Sequence, residues 1–567
     1  MGTKGRENAP MAPDVFAISS DYMDRRAALD PVWATSLGIP GHDGQMTDYS
    51  PDGVEARADL QRSTRVAVAA ISTSTDHERI AANVLLADLE TELAVFKSGT
   101  WQADLNILAS PLQDIRDIFE LMGDTTEADW VNRRDRLSEV PAALDGYRRS
   151  LSVGLTHNQI AARRQALQCA FQCDVRADQF VTDVVGSASP VVAPALREDL
   201  KRAAERARAA YASFGTWLRN TYAPQAREAD AVGVERYTRE VPRYLGTATD
   251  LENTYRWGLD QVNELRAQMI LTADGIMPGG SLREVEHLLE TDPARAVHGE
   301  AELVEFLQAH MDQMLDTLDG KHFEIAPNGR RVEQMIAPPG GAEAQYYTPP
   351  TSDWSRPGRC WFPVNGRSTF PVWGEITTAN HEGVPGHHLQ AVASLNSGSQ
   401  RSRFQKQYFM SGHGEGWALY AERLCFELGL LEKPDYVLGW LSGQMLRAVR
   451  VVVDIGMHCG AELGIRVPGN SPVAAGLPWD ATTGLAYARE FVGDGPIGLE
   501  SEIDRYLGLP AQAISYKVGE REWLATRSDV RKLLGSRFDL KQFHTVALGL
   551  GAMGLDQLRY EVLRAFQ

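Results

Sequence analysis

The segment His381-Glu382-Gly383-Val384-Pro385-Gly386-His387-His388-Leu389-Gln390 places three imidazoles and a carboxylate within eight positions, with helix-forming sequence on both sides. Histidines four apart share one helical face, about 6 Å along the axis, and with a glutamate between them can grip a metal and supply a base. Here His381 and His387 are six apart. In an unbroken helix that is about 9 Å along the axis and roughly 120° off-face. His388 returns to the face but stands about 10.5 Å away. Pro385-Gly386 is the device that shortens the span. Proline removes a helical N–H and clashes with the carbonyl four residues back, that of His381. The sequence therefore predicts a bulge or kink that folds His381 and His387 toward each other.

Hydrolytic zinc sites need three protein ligands, an open position for water and a carboxylate that takes a proton from that water. His381 and His387 are the first two ligands and Glu382 the base, with His388 the alternative second ligand. A third ligand is sought on a following helix, and His413-Gly414-Glu415-Gly416-Trp417-Ala418-Leu419-Tyr420-Ala421-Glu422 offers two glutamates seven apart on nearly one face. Either could reach a metal. Glu415 is preferred because it sits at the glycine-flanked start of the helix, where a carboxylate suits the dipole. Glu422 then orients a ligand histidine through its other ring nitrogen. His413 is equally readable as a cap or surface residue.

Cleaving an amide builds charge on the carbonyl oxygen, so a donor is expected near the metal. Tyr516 is the candidate, set against a plain packing role. His458, which follows an apolar run containing Asp454, is a second candidate, though a buried hydrogen-bonded histidine explains it better. Arg356, Arg447 and Arg450 could bind a substrate carboxylate bidentately, and ordinary salt bridges explain the last two about as well. Tyr346, Tyr347 and Trp354 line either a cleft or a sheet.

These residues need a scaffold. From Asp14 to Asp230 the pattern is helical, with Glu78–Lys97, Glu127–Val153, Asn158–Val184 and Pro194–Tyr222 as segments. Asp250–Met269, Ser281–Glu290 and Glu300–Leu318 continue it. Around 331–365 the texture changes to three short strands, Arg331–Ala337, Ala342–Thr348 and Cys360–Asn365, with Pro- and Gly-rich loops between them, Pro338-Pro339-Gly340-Gly341 among these. A helix over Trp373–Leu395 then carries the histidines. The expected organisation is a disordered tail at 1–12, a helical region at 13–230 and a catalytic region at 231–567, continuous around a cleft. The fold class is mainly α: a large helical array with a small β-sheet next to the metal-binding helix.

The 567 residues can bury a large core, and 43% hydrophobic with 23% charged residues is ordinary for a globular protein. A net charge of −18 argues against nucleic acid and anionic membranes as partners. Five cysteines without a CxxC pair give neither a disulfide framework nor a cysteine zinc site. The polar start, Met1–Ala12, lacks the apolar core of a signal peptide, and no run of eighteen apolar residues occurs, so the cytoplasm is the expected location.

Taken together the motifs resemble the family carrying domain of unknown function 885. The matching residues are His381 to His387, Glu415-Gly416-Trp417-Ala418-Leu419-Tyr420-Ala421-Glu422, Tyr346-Tyr347-x-Pro349-Pro350, Ser355-Arg356-Pro357-Gly358 and Arg450 to His458. That family is similar to mostly helical zinc peptidases of the carboxypeptidase Taq and thimet oligopeptidase type, with a zincin-like fold. In some of those, His-Glu-x-Gly-His precedes a helix opening with a ligand glutamate. The Gly-His step falls on Gly386-His387 and the glutamate on Glu415, with two extra residues after Glu382. The resemblance implies metallopeptidase-like hydrolysis of a peptide or small amide with one Zn2+ per chain. The alternatives are a hydrolase or lyase of a non-peptide metabolite, and an inactive metal-bound protein that captures peptides.

Overall fold

The computed structural model describes residues 14–179, 192–337, 345–351, 353–492 and 498–567. The expected 1–12 tail, the end of the Asn158–Val184 helix, the Pro338-Pro339-Gly340-Gly341 loop and the first residues of the Ala342–Thr348 strand lie outside them. The chain forms two compact units, Met1–Glu228 with Ser399–Gln407, and Ala229–Gly398 with Tyr408–Gln567.

The first unit is helical because its sequence supplies both starts and apolar faces. Asp76–Ser98 and Glu127–His157 open on capping boxes, Thr75 with Glu78 and Thr126 with Asp129, while Pro111–Leu121 pairs Ser110 with Gln113. Proline at the first helical position, which has no N–H to lose, opens Pro51–Ala69, Pro111–Leu121 and Pro194–Trp217. The apolar faces of Pro111–Leu121, Glu127–His157 and Pro194–Trp217 merge in a core that includes Trp130, Tyr147, Leu151, Tyr211 and Phe214. The buried Arg136 donates through Nε and Nη2 to the carbonyls of Gln45, Pro31 and His42 and to the Thr35 hydroxyl.

The second unit is also mainly helical, with two small sheets. One pairs β1 (Ala296–His298) with β5 (Thr369–Pro371), antiparallel. The other has the order β2 (Val332–Ile336), β4 (Gly358–Phe362), β3 (Tyr346–Thr348); β2 runs parallel to β4 and β3 antiparallel to it. Two of its strands, β2 and β3, fall within the expected segments Arg331–Ala337 and Ala342–Thr348; β4 overlaps the expected Cys360–Asn365 but begins and ends earlier, at Gly358 and Phe362. The β1–β5 pair was not expected, since three-residue strands carry too little alternation to register.

Five helices position the candidate site. The expected Trp373–Leu395 helix is two helices, Glu375–Glu382 and His387–Leu395. Ser411–Glu427 carries the two glutamates. Pro434–Leu463 is a long helix packed along Leu251–Ile276, and Ser515–Leu534 packs across Ser411–Glu427. That last crossing is close because glycine faces glycine. A Cβ on Gly416 would stand 2.5 Å from the Gly519 backbone, and one on Gly519 would stand 2.1 Å from the Gly412 carbonyl.

Candidate metal centre

The break after Glu382 decides the site. Gly383 caps the first helix, its N–H donating to the Ala379 carbonyl at 2.8 Å. Gly386 doubles back onto the same helix end, its N–H donating to the Asn380 carbonyl at 3.0 Å. A Cβ on Gly386 would lie 1.9 Å from the His381 carbonyl oxygen, so only glycine permits this approach. The carbonyls of Pro385 and Gly386 both accept from the Trp417 indole N–H at 3.1 Å, which ties the turn to the glutamate-bearing helix. The expected kink is thus a complete interruption over four residues. It brings the His381 and His387 rings to 5.0 Å between centroids, at 89° to each other.

His381 Nδ1–H donates to Glu422 Oε1 at 2.7 Å, and Thr377 Oγ1 donates to Glu422 Oε2 at 2.9 Å. This fixes the imidazole and leaves Nε2 facing Glu415 Oε2 at 3.3 Å. His387 Nε2 faces the same oxygen at 3.6 Å. One ligand atom from each of His381, His387 and Glu415 lies within 4.8 Å of the others. A tetrahedral zinc with bonds of roughly 2.0–2.2 Å sets neighbouring ligand atoms about 3.3–3.6 Å apart. The two nitrogens and one carboxylate oxygen therefore fit such an ion in kind, and the two nitrogen–oxygen distances fit it in spacing.

The charged groups of the cluster act strongly on one another. Burial works against the ionised form of Glu415, but hydrogen bonds from His381 and His387 overcome it and hold the carboxyl well below its ordinary range. Burial likewise opposes the His381 imidazolium, yet Glu415 and Glu422 hold that group up to about 10. Two carboxylates around one imidazole leave a cluster whose excess negative charge a divalent cation would neutralise. Glu382, in the last turn of the first helix and buried, stands outside this ligand set. Burial raises its carboxyl, and His381 and His387 pull it back. Its carboxylate makes no hydrogen bond among the described residues.

Other sequence-based candidates are placed differently. His388 is not available as the alternative ligand: Nε2–H donates to the Gly329 carbonyl at 2.7 Å, and Nδ1 accepts from the Tyr347 hydroxyl at 2.9 Å. Burial depresses it to about 4, so it stays neutral and bonded. Tyr347 is correspondingly committed to His388. A Cβ on Gly358 would stand 2.4 Å from the Tyr347 hydroxyl and 2.6 Å from His388 Nδ1, which accounts for glycine opening β4. His458 lies on the long helix about 16 Å beyond Arg447. It accepts from the Val232 N–H and donates to the Tyr506 carbonyl, away from the ligand cluster.

Arg450 is closed to substrate as well. It is buried, donates twice to Glu502 and stacks over Tyr516 at 4.8 Å. Arg356 holds the carbonyls of Pro349 and Pro357 in its own loop. Glu415 is the fifth residue of its helix and so lies past the first turn, where the dipole argument made for it applies. Its place is set instead by the Gly416–Gly519 crossing. Tyr516 stands in the first turn of Ser515–Leu534, its oxygen accepting from Arg505 at 3.4 Å, and it makes no hydrogen bond to the three ligands.

Two site residues escaped the sequence reading. Thr377 lies four residues before His381 on the same helical face, a spacing that could have suggested it. Trp417 lay inside the recognised glutamate segment, but its role depends on a turn 31 and 32 residues away in the chain.

The fold has solved relatives. A crystal structure titled "the putative lipoprotein from Colwellia psychrerythraea" aligns with a TM-score of 0.84 at 21% identity, covering 97% of this chain and 98% of that one. A second, "a putative lipoprotein of unknown function from Shewanella oneidensis", aligns at 0.74 and 17% identity, covering 97% and 100%. No curated protein matches the sequence. The family match spans residues 31–562, and the chain belongs to the family described as "Bacterial protein of unknown function (DUF885)".

Proposed function

We propose that this protein is a zinc-dependent hydrolase that cleaves a peptide or related amide bond. The observation that carries the reading is the convergence of His381 Nε2 and His387 Nε2 on one oxygen of Glu415, at 3.3 and 3.6 Å, with Glu382 adjoining but not among the ligands. A purely structural metal site has no use for a free buried carboxylate beside it, whereas a hydrolytic one requires a base. When bound, a zinc ion would supply Lewis acidity, polarising a carbonyl and making a water acidic near neutral pH. His381, His387 and Glu415 hold the ion. Glu422 and Thr377 fix the His381 ring so that Nε2 stays directed inward.

Glu382 takes the proton of the attacking water and returns it to the leaving amine. Burial raises its carboxyl, which brings its proton affinity nearer to that needed by a base that must also act as an acid. Arg505 donates to the Tyr516 oxygen and leaves the phenolic proton free, so Tyr516 is the donor assigned to the developing oxyanion. The similarity to helical zincin peptidases belongs to this proposal.

The test is Glu382→Gln. The variant should retain zinc and lose hydrolysis of a mixed peptide library and an amide panel. Full activity would remove Glu382 as the base, and tight peptide binding by the wild type without turnover would favour a capture protein. The expected cytoplasmic location is part of the proposal. The lipoprotein description of the two solved relatives argues for an exported chain, and fractionation of cells expressing a tagged chain decides between them.

A further inference from the structure

The long helix Pro434–Leu463 runs beside Glu375–Glu382 in the same direction. A Cβ on Gly439 would stand 2.0 Å from the Trp373 carbonyl oxygen, and one on Gly443 would stand 3.9 Å from Thr377 and 3.8 Å from Glu422 Oε2. Each contact advances four residues along both helices. One turn further, about 5.4 Å on, the Arg447 backbone comes level with His381 and Glu382, while its side chain folds back along the helix, Nη1 standing 3.3 Å from the Cβ position of Gly443.

Arg447 is the one of the three arginines named above whose hydrogen-bonding capacity is left largely unspent. Nη1 donates to the Gly443 carbonyl of its own helix at 3.2 Å, while Nε is buried without a hydrogen-bond partner. Among the described residues no carboxylate lies within ion-pair distance of it. Arg450 and Arg423, by contrast, are closed by Glu502 and Glu520. A guanidinium carries several N–H donors in a planar fork matched to a carboxylate, and leaving them unpaired in a partly buried place is costly.

We infer that Arg447 binds a carboxylate of the substrate next to the scissile bond, so that the substrates are peptides or N-acyl amino acids cleaved beside a free C-terminal carboxylate. The inference rests on the hydrolase reading above. An internal peptide bond presents only neutral carbonyls to the fork. A terminal carboxylate offers two oxygens and neutralises the charge.

The experiment uses the zinc-loaded full chain and paired peptide libraries with free or amidated C-termini. The wild type should favour the free acids by roughly ten- to hundredfold in kcat/KM, as loss of a charged hydrogen-bond pair implies. Arg447→Gln should bring that ratio close to one, mainly through KM for the acids, and Arg447→Lys should restore part of it. Binding of 3-phenylpropanoate against 3-phenylpropanol, read by calorimetry, should show the same preference and its loss in Arg447→Gln. Equal preference in wild type and variant, or equal slowing of acids and amides, would overturn the inference. Carboxylate binding that depends on Arg447, in a chain that hydrolyses nothing, would instead sink the hydrolase reading alone.

Discussion

Glu422 Oε1 accepts from His381 Nδ1 at 2.7 Å while its second oxygen accepts from Thr377, so one buried carboxylate sets both the tautomer and the tilt of the His381 ring, the first of the proposed ligands. Outer partners of this type commonly change metal affinity by about 10- to 100-fold. Glu422→Gln should weaken zinc binding by that amount in a chelator competition. Unchanged affinity would mean that the ring is held by packing alone.

The turn after Glu382 leaves no room for a side chain at Gly386, where a Cβ would sit 1.9 Å from the His381 carbonyl and 2.5 Å from that of Asn380. Gly386→Ala must push the start of the second helix away and carry His387 with it. The expected result is a loss of about 1–3 kcal/mol in urea unfolding, together with loss of stoichiometric zinc. Normal zinc content in this variant would show that the turn is not what brings the histidines together.

His387 and His388 are neighbours with different tasks. His387→Ala should abolish stoichiometric zinc with little change in stability. His388→Ala should keep the zinc but cost about 2–4 kcal/mol, because a buried ring is removed and the Tyr347 hydroxyl and Gly329 carbonyl lose their partners. The reverse pattern would make His388 the ligand.

His544 gives a pH signature away from the metal. Its Nδ1–H donates to the His322 carbonyl, and Nε2 accepts from the Tyr420 hydroxyl. Burial depresses it from 6.5 to about 3. Between those values the unfolded chain binds a proton that the folded chain refuses, so the His544 contribution is present above about pH 6.5 and falls as the pH drops. The stability gap between wild type and His544→Phe should therefore narrow by up to about 1.4 kcal/mol per pH unit as the pH is lowered through this range. A gap independent of pH would contradict the assignment.

The local parts of this site were legible in the sequence. Pro385-Gly386 announced a break because proline and glycine act through their own backbones, and the helix Glu300–Leu318 ended where its periodicity ended. That Glu422 would orient a ligand histidine could be read from a seven-residue spacing and the chemistry of imidazole, but not that the histidine is His381. Long-range packing stayed hidden. Nothing local says that Tyr347 meets His388, 41 residues on, or that Glu502 takes Arg450 out of reach of substrate. The choice of Arg447 over Arg450 depends on Gly439 and Gly443, a small-residue step on the long helix that brings it against the ligand helix. That step is visible in the sequence, but its partner is not.

The most direct measurement is the zinc content of purified wild-type protein beside His381→Ala, His387→Ala, Glu415→Ala and Glu382→Gln, each shown to be folded by its thermal melt. The proposed centre predicts about one zinc per chain in the wild type and in Glu382→Gln, as a single three-ligand site implies, and none held through dialysis in the other three. Stoichiometric zinc in Glu415→Ala, or a wild type that takes up none, would contradict it.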